Sequence, residues 1–177
     1  MKKLNLITLG LLMAASSTAF AAEGSSAVHF NGKVTEPTCS AVTEKQDVTL
    51  ATVGAAAFEG VNIGQTIEAG AKDFNIHVNC EAKDLANHIK IVMQGDVDPN
   101  QATALKNSSS DSNGVGLEVF YNNEVLAPNT EFDAAKIEGM NNKGENTIPM
   151  MVRYARVGDQ VTGGSVTADV TFVTEYR

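Results

Sequence analysis

The chain has 177 residues, a formal net charge of −8, 43% hydrophobic and 19% charged side chains. That length suits one ordinary domain with a sizeable buried core. The acidic balance argues against nucleic acid and anionic lipid as partners, because like charges repel.

Residues 1–21 read as an export signal. Lys2 and Lys3 give the positive start, Leu4 to Ala15 the apolar stretch, and Ala19-Phe20-Ala21 the small-x-small cleavage pattern. The stretch is too short for a stable membrane span, and no later run is apolar for long enough. Cleavage after Ala21 removes both lysines and leaves residues 22–177 more acidic still. Two cysteines follow, Cys39 and Cys80. An even count in an exported chain reads as one disulfide. Zinc is the weaker reading, since two cysteines and three scattered histidines make no ligand cluster.

Along the rest of the chain the dominant signal is period-two alternation, the mark of half-buried strands. Val28, Phe30 and Val34 share one face. Val48 and Leu50 start a second short strand. Phe74, Ile76, Val78 and Cys80 alternate with Asn75, His77 and Asn79, and Ile89 to Met93 is a shorter apolar run. Val115, Leu117, Val119 and Tyr121 precede the turn-prone pair Asn122-Asn123. Ile148, Met150, Val152 and Tyr154 alternate with Pro149, Met151 and Arg153. Proline cannot donate to a ladder, so Pro149 is expected at a strand start rather than at a bulge or edge. The longest case is the last: Val166, Ala168, Val170, Phe172, Thr174 and Tyr176. Asn107 to Gly116, Asn141 to Asn146 and Gly158 to Gly164 read as loops. Ala51 to Ala71 is small and Gly-rich; it has no assignment beyond room for a short helix near Ala55. Many short strands between turn signals predict an all-β sandwich or barrel.

Candidate chemistry is sparse. His29 and His77 fall on the polar side of strand patterns and His88 in a connection, which suits solvated or hydrogen-bonded roles. There is no Gly-x-Ser-x-Gly elbow and no Gly-rich phosphate loop. Asp96, Asp98 and Asn100 alternate like a calcium loop but lack its following Gly and terminal Glu. With both cysteines spent in a disulfide there is no thiol nucleophile. We therefore expect no enzyme activity, no cofactor and no metal.

The end of the chain carries the remaining information. Gly164 stands fourteenth from the C-terminus, alternating residues run from Val166 to Phe172, and Tyr176 is the penultimate residue. Near the start, Val28-His29-Phe30-Asn31-Gly32-Lys33-Val34 precedes Cys39; later come Asn146-Thr147-Ile148-Pro149 and Arg153-Tyr154. In this order these motifs resemble the pilins of the chaperone–usher family, the subunits of type 1 and related fimbriae.

The resemblance implies a fold, a role and partners. The fold would be an incomplete immunoglobulin-like β-sandwich lacking its seventh strand, which leaves a hydrophobic groove completed by a donor strand. Residues 1–21 would be the signal, 22–27 the donor extension and 28–177 the pilin domain. Gly164, Val166, Ala168, Val170, Phe172 and Tyr176 would form the strand beside the groove, first covered by a periplasmic chaperone. At the outer-membrane usher, the extension of a neighbouring subunit would replace the chaperone. The product would be a fimbrium on the cell surface that supports adhesion. A minor adaptor or initiator subunit, or a shaft subunit that itself binds host receptors, stays open beside a main shaft subunit. Parity sets the donor register. Ala22, Gly24, Ser26 and Val28 are small or apolar, whereas the opposite face would bury the Glu23 carboxylate unpaired.

Overall fold

The computed structural model describes residues 31–33, 38–41, 45–109, 114–137, 140 and 142–176. The chain divides into Met1–Val34 and Thr35–Arg177, and every element below belongs to the second unit. Its strands are β1 (Cys39–Ala41), β2 (Thr66–Cys80), β3 (Ile89–Gly95), β4 (Val97–Asp98), β5 (Gln101–Leu105), β6 (Val115–Tyr121), β7 (Glu124–Leu126), β8 (Glu131–Asp133), β9 (Gly144–Arg156) and β10 (Val170–Tyr176).

Two antiparallel sheets result. The larger runs β1-β2-β9-β6-β5-β4, with β7 added to β6; the smaller runs β10-β3-β8. The core lies between them. Ile76, Val78, Leu117, Val119, Ile148, Met150 and Val152 come from the larger sheet and Ile91 and Met93 from the smaller. The alternation seen in the sequence is thus the burial pattern of β2 and β9, whose even-numbered apolar residues face inward. β6 departs from it, because all seven of its residues are buried. On its outer face Arg153 lies 4.7 Å over the Phe120 ring, and Glu118 accepts a hydrogen bond from Thr103 at 2.5 Å. Asn122 and Asn123 both take positive φ, 46° and 64°, and join Tyr121 to Glu124 in a two-residue hairpin.

Three expectations change. The short strand at Val48 and Leu50 is absent: Lys45–Leu50 is in no ladder. The final strand begins at Val170, so Val166–Asp169 is extended without being part of β10. Pro149 is not at a strand start but within β9, opposite Asn75 of β2. It is tolerated because the β6 ladder reaches only from Met151 to Arg156, so among the described residues Pro149 has a strand neighbour on one side alone. In the unassigned stretch, Ala55–Phe58 is a 3-10 turn with Phe58 buried, and β2 starts already at Thr66 with an irregularity between Ile67 and Lys72. Of the strand expected at Val28–Val34, only Asn31–Lys33 are described; they are exposed and in no strand.

Candidate functional site

The smaller sheet ends at β10, which pairs with β3 through seven residues, Val170↔Gly95 to Tyr176↔Ile89. Its other edge has no strand partner among the described residues. Across from that edge runs the unladdered segment Lys45–Leu50, and between the two lies a cleft of about 660 Å³. Its floor is apolar and comes from four strands of the larger sheet: Phe74 and Ile76, Leu105, Leu117 and Val119, and Val152.

Both walls keep strand parity without a sheet. On one, Val48 and Leu50 are half-buried against the core while Asp47 and Thr49 are exposed. On the other, Val166, Ala168, Val170 and Phe172 are half-buried against the core while Thr167, Asp169 and Thr171 are exposed. The Phe172 ring meets Phe74 at 6.3 Å between centroids. Further along β10 the Thr174 hydroxyl donates to the Cys39 carbonyl of β1 at 3.0 Å. A wall residue of this kind has lost part of its water yet lacks a neighbour on one side. Covering the cleft therefore removes more apolar surface from water, at about 25 cal/mol per Å².

The expected residues fall as follows. Cys39 and Cys80 are bonded and directly opposite each other in the β1–β2 register. Gly164 is exposed and precedes the wall. Val166, Ala168, Val170 and Phe172 share the cleft face. Tyr176 closes the β10 ladder against Ile89 through its backbone. Ala22, Gly24, Ser26 and Val28 lie outside the described residues. Sequence reasoning missed Val48 and Leu50 as a wall, although their alternation signalled an inward face, and it missed the floor residues, which read only as core.

The residues weighed for chemistry have local roles. His77 pairs with Glu145 at 2.8 Å, and His88 is exposed. Asp98 accepts the Asn100 N–H at 2.9 Å and so caps the turn between β4 and β5. Among the described residues no cluster of acidic, His or Cys side chains is arranged to hold a metal. Tyr154 reaches over β2 to the Ala51 carbonyl at 3.3 Å, and partial burial pushes its hydroxyl above the usual tyrosine pKa.

The fimbrial protein family matches residues 28–177. The chain belongs to that family. It is 30% identical to a type 1 fimbrial subunit of Salmonella typhimurium, over 99% of this chain and 98% of that one. It is also 30% identical to the type-1 fimbrial protein A chain of Escherichia coli, with the same coverage of 99% and 98%. Among solved structures, the P pilus rod subunit is similar in fold at a TM-score of 0.62, with 18% identity and coverage of 78% and 99%. A subunit of a chaperone–usher pilus is similar at 0.60, with 20% identity and coverage of 88% and 97%. The sandwich of this fimbrial chain is accordingly the immunoglobulin-like sandwich of pilus subunits, with the cleft beside β10 where a further strand would lie.

Proposed function

We propose that this chain is a structural pilus subunit that polymerises by strand exchange through the cleft beside β10. One observation carries the reading: two segments of alternating burial, Lys45–Leu50 and Val166–Phe172, face each other across an apolar floor with no strand between them among the described residues. A strand laid there would find main-chain partners on an open edge and pockets for alternate side chains. Open apolar edges aggregate unless covered, so a periplasmic chaperone is the first occupant. Delivery to an outer-membrane usher then brings the donor segment of a neighbouring subunit. In this chain residues 22–27 are that segment, with Ala22, Gly24, Ser26 and Val28 facing the neighbour's cleft. The finished fibre is extracellular and supports adhesion, and a host receptor is a further partner of the assembled surface.

Deleting residues 22–27 tests the reading. The cleft is untouched, so the variant should still be captured by the chaperone, and it should fail to donate to a neighbour. Long detergent-resistant fibres made of the deleted protein would refute donor exchange through this segment.

A further inference from the structure

The wall of the cleft is held by two different devices. From Val170 to Tyr176 it is the β10–β3 ladder. That ladder stops at Val170↔Gly95, and the chain of β3 then turns away toward β4. Val166–Asp169 nonetheless stays extended and keeps Val166 and Ala168 inward. What holds it is the stretch that leaves β5. Asn107 accepts the Thr167 N–H through Oδ1 at 3.0 Å and donates from Nδ2 to the Ser165 carbonyl at 2.9 Å. The Ser108 N–H donates to the Thr167 carbonyl at 2.8 Å, and the Ser109 hydroxyl to the Ser165 carbonyl at 2.6 Å. Asn107 Oδ1 also accepts the Ser109 N–H at 3.0 Å, which fixes the amide's orientation.

The side-chain amide of Asn107 thus does what a backbone amide of a neighbouring strand does, offering one donor and one acceptor to an extended chain. Its choice of partners has a consequence. In extended chain, the backbone groups of successive residues point to opposite edges. Ser165 and Thr167 turn theirs toward the clasp, so Val166 and Ala168 turn theirs toward the open edge. The clasp grows from Leu105, which lines the cleft floor, so wall and floor are tied together at this point.

We infer that Asn107 is a positioning residue for strand uptake: it presets the main-chain register of Val166 and Ala168 for an incoming strand. This rests on the strand-exchange reading above. Pre-ordering an edge spares the incoming strand part of the ordering cost. Serine, alanine or glycine at this position would leave the wall to be ordered during binding.

The test uses the subunit purified as its chaperone complex, in wild-type form and as Asn107→Ala and Asn107→Asp. Amide exchange reads the clasp itself. In Asn107→Ala the Thr167 amide should exchange at least about tenfold faster, the loss of one net hydrogen bond, while Phe172 and Thr174 in β10 keep their rates. A synthetic peptide of residues 22–34 reads the consequence, as displacement of the chaperone. Asn107→Ala should bind it about three- to tenfold more weakly, and Asn107→Asp, which keeps the acceptor for Thr167, should lie between. Unchanged exchange at Thr167 would overturn the clasp. Faster exchange with undiminished peptide affinity would overturn the positioning role. A wild-type complex that the peptide cannot displace would overturn strand exchange itself, and the positioning role with it, whatever the amides do.

Discussion

The Thr174 hydroxyl donates to the Cys39 carbonyl, 3.0 Å away, and so joins β10 of one sheet to β1 of the other. Cys39 is in turn bonded to Cys80 on β2. Thr174→Val keeps the shape and removes the donor. It should cost about 1 kcal/mol and lower Tm by roughly 2–4 °C. Loss of the disulfide should cost more, about 2–5 kcal/mol. Thermal denaturation of the three proteins orders them, and equal Tm for Thr174→Val and wild type would mean that this bond does not stabilise the joint between the two sheets.

Phe172 has the Phe74 ring as its neighbour across the cleft. Phe172→Asp would place a carboxylate on an apolar face, where an unpaired charge is costly. Recovery of the chaperone complex from periplasm should fall severalfold, whereas Phe172→Leu should retain most of it. Undiminished recovery of the Asp variant would count against β10 as the covered strand.

Gly70 permits the β2 irregularity. Its φ is +80°, and a Cβ there would lie 2.8 Å from the Ala51 carbonyl oxygen and 2.9 Å from Tyr154 and Val53. Gly70→Ala should therefore destabilise by about 1–3 kcal/mol. Gly54→Ala, with open space around its Cβ, should stay within about 0.5 kcal/mol. Urea titrations of the two variants make the comparison, and a mild Gly70→Ala would show that β2 relaxes around the methyl.

Tyr154 gives a pH signature. Its hydroxyl pKa is raised above the ordinary 10.0 by burial, so folding favours the protonated form. The contribution is fully present below pH 10.0 and is lost as pH rises through the folded-state value. Ionisation also removes the donor to Ala51. Stability should decline above about pH 10, with a shallower decline in Tyr154→Phe. Identical pH profiles for the two proteins would dismiss Tyr154 as the source.

How much of this was legible beforehand follows from what alternation reports. It tells which side chains turn inward, and on that point Phe74 to Cys80, Ile148 to Val152 and Val166 to Phe172 read correctly. It does not tell whether the strand edges are paired. Val48 and Leu50 alternate as a strand would, yet no strand pairs with them among the described residues, and Val166–Asp169 is held by the Asn107–Ser109 side chains and one backbone bond instead of a ladder. The Asn107 loop looked like plain turn chemistry, because Asn and Ser satisfy backbone groups wherever the fold brings them. Gly70 was hidden in a small-residue stretch, since only the crossing of Ala51–Val53 shows why no Cβ fits.

Pro149 bears on which edge of the sandwich can recruit a foreign strand. Between Gly144 and Met150, β9 has β2 on one side and, among the described residues, no strand partner on the other. A chain that accepts strands, as proposed above, is exposed to accepting them in the wrong place. A proline there supplies no N–H to any ladder, which makes the stretch a poorer template. On the strand-exchange reading, that favours uptake at the cleft beside β10 over uptake at β9.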